Sequence, residues 1–372
     1  MKRFDVCVRG GGVVGRSLAL ALARQGLAVA LQEAPPGQAP HGEDVRTYAL
    51  NAASVELLQG LRVWDGLPAG SATPVYDMHV MGDAHGAAID FSAYTQRVRE
   101  LAWIVDAAAL EAELGEAVRH APHVTLWTAG EPPEASLLAI ADGRASTTRE
   151  ALGIRLERHD YGQTAIAARL VAGEPHAGRA LQWFRAPDVL ALLPFDRPEP
   201  SRSYGLVWSL PAARAAELMA LPVAGFEQAL DAATDHACGG LALGSERAAW
   251  PLAFARAERT CGAGWVLLGD AAHVVHPLAG QGLNLGLGDV IVLARVLAER
   301  EPWREPGDAR LLRRYARERA APTLAMGRLT DSLWRLFASP APAARELRNR
   351  GLTLVNHLSP LKRWLTARAL DH

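Results

Sequence analysis

An apolar run beginning at Val6 leads into a cluster of glycines, then into Ser17–Ala23, a stretch of helical composition closed by Gly26. A second apolar run, from Leu27 to Leu31, stops at Glu33. Strand, glycine turn, helix and strand in so short a span predict the opening unit of a doubly wound sheet. The segment Ala34–Pro40, with three prolines and a glycine, reads as an exposed loop. Apolar periodicity then predicts a helix over Ala49–Leu61, strands between Val75 and Val105, and a helix over Ala107–Val118.

From about 155 to 258 the pattern changes to short alternating runs such as Gln163–Val171, Leu190–Pro194 and Ser203–Trp208, broken by turn residues such as Arg197-Pro198-Glu199-Pro200. Period-two alternation with frequent turns predicts a mostly antiparallel sheet. A buried strand follows at Trp265–Leu268, then a glycine-rich turn and a helix running to about Leu297. The remaining chain, from about 308 to 370, reads as helices broken near Pro322, Pro340 and Pro360.

Length and composition narrow the partners. At 372 residues the chain exceeds what one growing core supports, so two closely packed domains are expected. The net charge of −1 and the absence of an aromatic-studded basic stripe make nucleic acid an unexpected partner. Cys7, Cys238 and Cys261 form no CxxC pair, which fits a reducing cytosol better than a disulfide framework or a zinc site. No leader-like segment precedes the first strand and no run approaches the ~20 apolar residues a bilayer span needs. A cytoplasmic location, peripheral on the membrane at most, is the expectation.

Three motifs carry chemistry. In the first, Gly10-x-Gly12-x-x-Gly15 includes Val13 and Val14 and is followed eighteen residues on by Glu33. Its glycines permit a tight turn and a close backbone approach, so that a pyrophosphate can rest on the helix N-terminus while Glu33 accepts hydrogen bonds from a ribose. This does not separate NAD from FAD. The second, Asp142-Gly143-x-x-Ser146-x-x-Arg149, standing alone would be an Asp-Gly hairpin turn. The third runs Gly269-Asp270-Ala271-Ala272-His273 and then Pro277-x-x-Gly280-Gln281-Gly282-Leu283-Asn284. An aspartate at a strand's carboxyl end can accept from a ribityl chain, and the helix opening after Gly280 offers partial positive charge to an anionic ring. His273 and His276 lack a completing carboxylate or cysteine, so no metal is expected, and Ser146 has no readable His/Asp partners for a hydrolytic triad. Tyr161, Tyr204 and Trp208 read either as pocket lining or as core.

In this order the three motifs resemble those of flavin-dependent aromatic hydroxylases of the para-hydroxybenzoate hydroxylase fold, most nearly the UbiH-type ubiquinone-biosynthesis hydroxylases. Asp44–Leu50, Asp160–Ile166, Trp250-Pro251-Leu252 and Leu347–Leu352 add to the likeness, which covers nearly the whole chain. The resemblance implies an α/β fold: a Rossmann-like FAD-binding domain from residues 1–70, 106–155 and 259–307, interleaved with a mixed or antiparallel β-sheet substrate domain from 71–105 and 156–258, and a C-terminal helical region from 308–372. It implies that Glu33 holds the adenosine ribose, that Arg46 approaches the phosphate and ribityl region, and that Asp142 and Asp270 bracket the pyrophosphate and ribityl chain. Pro277 through Asn284, with Gly280, Gln281, Gly282 and Leu283, would form the wall beside the flavin ring. Two positions depart from the pattern. Arg9 replaces an aliphatic residue and must reach the surface or the phosphates, and Ala107 stands where relatives carry Arg or Asn facing the cofactor.

The activity implied is a monooxygenase in which FAD, bound throughout, is reduced by NAD(P)H that binds transiently, and one atom of dioxygen is placed on a phenolic ring. No side chain is expected as nucleophile, because the flavin C4a position carries the chemistry. The substrate implied is a small phenol, polyprenylated if it belongs to the ubiquinone pathway. A flavin-dependent reductase or epoxidase acting on an isoprenoid, and a flavin-binding accessory subunit without turnover, stay open beside it; a plain NAD dehydrogenase would leave Gly269-Asp270 unexplained. Residues 301–372 carry 14 Lys/Arg against 7 Asp/Glu, and Leu347, Leu354, Leu358, Leu361 and Leu365 recur at helical spacings. This tail either packs on the body with its arginines solvated, or meets a membrane or a biosynthetic complex.

Overall fold

The computed structural model describes residues 3–33, 44–82, 87–128, 132–275 and 281–338, with backbone alone at 281 and 328–338. The loop expected at 34–40 and the breaks and leucines expected beyond 338 lie outside the described residues.

The opening pattern folds as its periodicity dictates. Phe4–Arg9 lies at the centre of a six-stranded sheet, parallel to Val29–Gln32 on one side and to Ala135–Ile140 on the other. Val124–Trp127 extends one edge, and Trp265–Leu267 with the antiparallel Cys261–Gly262 extends the other. Parallel strands covered on both faces read as unbroken apolar runs, which is why Val6, Cys7 and Val8 are all buried. The helix Val13–Ala23 is apolar almost all round because it is sandwiched: Leu18 and Leu22 share one core with Val6, Val8 and with Leu287 and Val290 of the helix Gln281–Ala298.

A nine-stranded sheet is built around the seventeen-residue strand Leu156–Ala172, antiparallel to both Ser203–Pro211 and Ala248–Ala257. The helices Ala212–Ala220 and Val223–Ala233 cover one face. There Tyr204 and Trp208 are core, packed with Leu218, Phe226 and Leu230. Residues 71–105 divide between two sheets. Asp77–Met81 and Ala88–Ser92 join the large one, whereas Ala72–Val75 and Ala102–Asp106 pair with Thr47–Leu50 in a three-stranded sheet between the two larger ones. The helix expected over Ala49–Leu61 therefore begins only at Ala52, capped by the Asn51 side chain accepting from Ser54 N–H, because Ala49 and Leu50 are taken up by pairing with Ile104 and Trp103.

The C-terminal helix Ala309–Ala338 passes through Pro322 without ending, contrary to the break expected there. Proline costs a helix interior one hydrogen bond and a clash with the preceding turn, but this helix is held on both sides. Tyr315 and Arg319 are buried before the proline; after it Met326 is buried with Val275 and Leu285, and Gly327 lies against Phe254. No described helix is long and apolar enough to cross a membrane.

Candidate functional site

The glycines of the first motif each answer a steric demand. Gly10 has φ +118°, and a Cβ there would come within 2.2 Å of the Ala141 carbonyl oxygen; one at Gly15 would come within 1.8 Å of the Gly10 oxygen. Gly12 differs, since a Cβ there would meet nothing within 4 Å. It is the N-cap of the eleven-residue helix Val13–Ala23 and supplies no side-chain cap to that helix's first N–H groups. That is a cradle for an anion. Glu33 closes one side, its carboxylate 3.2 Å from Arg16 and its Cα 3.3 Å from where a Gly11 Cβ would sit.

The second motif is not a hairpin. Gly143, at φ +83°, turns the chain after Asp142 into the short helix Thr147–Ala151, whose first turn is capped by Ser146 accepting from the Arg149 N–H. Thr148 donates to Asp142 Oδ2 at 2.9 Å, while Asp142 Oδ1 is buried with no protein partner among the described residues. A buried carboxylate oxygen left unmatched costs about 1–3 kcal/mol, so it marks a place for a donor from elsewhere. Arg149, itself buried, reaches the Ala271 carbonyl at 3.3 Å and joins the second motif to the third.

In the third motif the chain leaves Trp265–Leu267 and turns at Gly269, φ +56°. Val14 lies in a notch between Gly269 and Gly286, where added Cβ atoms would come to 3.3 Å and 2.7 Å of its Cγ2. All three motifs thus converge. The carboxylate of Asp270 faces Arg144 at 4.0 Å, and Arg144 also donates to the Pro251 carbonyl. The protein packed around Asp270 pushes its carboxyl above the usual range, against the opposing charges of Arg144, His273 and Arg46.

Beneath this loop lies a group the motif reading missed. Asp289, fully buried on Gln281–Ala298, accepts from the Gly269 N–H at 2.9 Å, from His273 Nε2 at 2.7 Å and from Arg319 Nε at 2.6 Å. Burial alone would raise its carboxyl, but His273, Arg319 and the Gly269 N–H outweigh it and hold it below the ordinary range. His273 is therefore a support of the Gly269 turn. The signal in the sequence was the single acidic residue of a mainly apolar helix.

The FAD binding domain family matches this chain over residues 3–104 and 116–328. The chain belongs to the FAD-binding monooxygenases. It is 32% identical to the ubiquinone hydroxylase UbiL of Rhodospirillum rubrum over 99% of this chain and 90% of that protein, and 31% identical to the 3-demethoxyubiquinol 3-hydroxylase of Escherichia coli over 96% of each. Its fold is similar to that of PqsL from Pseudomonas aeruginosa, with a TM-score of 0.77 and 22% identity over 95% of this chain and all of that one.

The remaining expected residues of this monooxygenase fall into place unevenly. Arg46 is gripped by Asp44, at 2.8 and 2.6 Å, and by Glu111 at 3.3 Å, and lies over the ring of Tyr48. Burial works against the charged form of Asp44, but the bidentate bond from Arg46 holds its carboxyl below the usual range. Val13 is buried in the core, and Leu283 packs partly buried against the same core. Asn284 is spent on protein contacts: its Oδ1 accepts from the Asn51 N–H and the Ser54 hydroxyl, and its Nδ2 donates to the Ala49 carbonyl. It fixes the helix Gln281–Ala298 to the Thr47–Leu50 strand and to the start of the helix Ala52–Gly60. Pro277, Gly280 and His276 lie outside the described residues, and of Gln281 only the backbone is described. Arg9 is half-buried at the end of its strand, where it donates to Gln32 at 2.7 Å and stacks over Trp127. Ala107 is buried as the first residue of the helix Ala107–Arg119, capped by Asp106.

Proposed function

We propose that this flavoprotein hydroxylates the ring of an electron-rich phenol, a prenylated precursor of ubiquinone, with NAD(P)H as transient reductant. The observation that carries the reading is the small-residue face of the large sheet, opposite its helix-covered side. Strand register places Ala165 beside Ser209, Ala167 beside Val207, and Val207 beside Ala191 on one face, the face opposite the Tyr204 and Trp208 core. Its other end is occupied: Gly205 lies against Thr47, and Phe195 packs with Ile104 and Val75. The small apolar residues beyond, with Ala191 and Val207 only half-buried, suit a flat apolar ring. The two relatives named above act, by their names, on ubiquinone-type compounds over nearly the same length of chain.

The residues fit FAD. The uncapped helix start at Gly12 would receive its pyrophosphate and Glu33 its adenosine ribose; Asp142 Oδ1 and Asp270 would accept from its hydroxyls. Bound and reduced, FAD supplies the electrons that activate dioxygen. The protein's part is to hold the ring over the Ala165–Val207 face, to keep water out, and to set the N-terminus of Gln281–Ala298 where negative charge develops.

The test is turnover with short-chain prenylphenols under isotopically labelled dioxygen. A product one oxygen heavier, labelled from dioxygen, with NAD(P)H oxidation accelerated by the phenol, is the expected outcome. Label from water, or an epoxidised prenyl chain with an untouched ring, would refute it.

A further inference from the structure

We propose that the first turns of the C-terminal helix form a docking surface for anionic phospholipid. Arg310, Arg313, Arg314 and Arg317 stand at i, i+3, i+4 and i+7 of Ala309–Ala338, which puts them on one stripe. With Arg304 they line a hollow of about 520 Å³. Arg304 and Arg314 are matched by Glu301 and Asp308. Arg310, Arg313 and Arg317 are exposed and have no carboxylate in ion-pair range among the described residues. Like charges at these spacings oppose each other along a helix, so the stripe carries a standing cost that an anionic partner would remove.

The occupant follows from the residue beside it. Trp303, adjacent to Arg304, is 79% exposed, among the most exposed large apolar side chains described. An indole standing out next to a basic hollow is the pairing that seats a protein at a lipid headgroup boundary: the arginines meet phosphates and the ring enters the interface. An acidic protein would match the arginines but gives no reason for the bare indole. This surface lies on folded, described structure and stands independently of the substrate proposed above.

The experiment is co-sedimentation of the full chain with vesicles of phosphatidylcholine alone or mixed with phosphatidylglycerol. Three unmatched arginines, each worth about a fivefold gain near an anionic surface, predict roughly hundredfold tighter binding to the anionic vesicles. That preference should collapse in high salt. The Arg310→Gln/Arg313→Gln/Arg317→Gln variant should fall to the phosphatidylcholine level, and Trp303→Ala should weaken binding while leaving the salt dependence in place. A control, Arg62→Gln/Arg99→Gln/Arg158→Gln, removes equal charge from exposed positions elsewhere and should bind as wild type. No preference for anionic vesicles overturns the proposal, as does a control that loses as much as the test variant.

Discussion

Gly286→Ala tests whether the notch around Val14 sets the spacing of the cofactor site. The new Cβ would lie 2.7 Å from Val14 Cγ2 and 3.3 Å from Gly269 Cα, where carbon contacts ordinarily settle at about 3.5–4.0 Å. Val14 cannot swing aside easily, since a β-branched residue in a helix has one strongly preferred rotamer. The helices Val13–Ala23 and Gln281–Ala298 must therefore separate by several tenths of an ångström. Overpacking of this kind costs about 1–3 kcal/mol, while alanine in place of glycine in a helix interior returns up to ~1 kcal/mol. A net loss of about 1–2 kcal/mol is expected, read as a drop of a few degrees in Tm, together with weaker flavin binding because Gly12 and Asp270 move apart. The decisive arm is the same substitution in a Val14→Ala background, where the worst contact is gone and the helix-propensity gain should emerge. A coupling of about 1 kcal/mol or more between the two sites is expected from thermal denaturation and flavin titration. If Gly286→Ala is as damaging beside Ala at position 14 as beside Val, the notch does not set the spacing.

Asp270→Ala should leave a folded protein that loses FAD on gel filtration, with affinity reduced roughly ten- to hundredfold by the missing charged acceptor, as measured by flavin fluorescence titration. Gly10→Ala should fail to accumulate as folded protein, because both its φ of +118° and the Ala141 carbonyl 2.2 Å away forbid a side chain; soluble yield and circular dichroism report it. Asp289→Asn should cost about 3–5 kcal/mol at neutral pH by leaving Arg319 without its buried counter-charge. Because the folded carboxyl is held low, its stabilisation is complete above the unfolded value near ~3.9 and is lost as pH falls through the lower folded value. The acid limb of a Tm-against-pH profile should accordingly flatten in the variant.

What could be read from sequence was whatever a steric rule imposes locally. Gly10, Gly15 and Gly269 are fixed by close approach or positive φ, and the spacing of the first two marked the strand–turn–helix unit. The alternation from Gln163 onward announced the large sheet, although the period could not say which face would be core; only the helices over Tyr204 and Trp208 decide that. Ala49 and Leu50, the end of the strand Thr47–Leu50, were read into the following helix because a short apolar run carries no period of its own, and the strand's pairing with Ala102–Asp106 is non-local. Asn284 and Asp289 look alike in sequence as polar residues on the same apolar helix. Their partners, Asn51 and Ser54 for one and His273 and Arg319 for the other, arrive from segments far apart in the chain and leave no local trace.

The buried ion network also changes what the C-terminal helix is for. Asp289 must be charged to accept from Gly269, His273 and Arg319 together, and a lone buried carboxylate would cost several kcal/mol. Its countercharge comes from Arg319, which also donates to the Leu285 carbonyl and lies against Gly288. One turn earlier Tyr315 donates to the Leu267 carbonyl, on the strand that delivers Gly269. The turn that presents Asp270 is thus held from below by Asp289, and Asp289 is held by a helix some thirty residues further on. Hydrogen bonds to charged groups contribute about 1.5–3 kcal/mol each, and these share one acceptor, so they form or fail together. The helix Ala309–Ala338 is for this reason part of the cofactor site's foundation through at least Arg319. The basic stripe of Arg310, Arg313 and Arg317 projects from the outer side of the same turns whose inner side carries Tyr315 and Arg319. Whatever binds that stripe bears on a helix tied to the Gly269 turn through Tyr315 and through the Arg319–Asp289 pair.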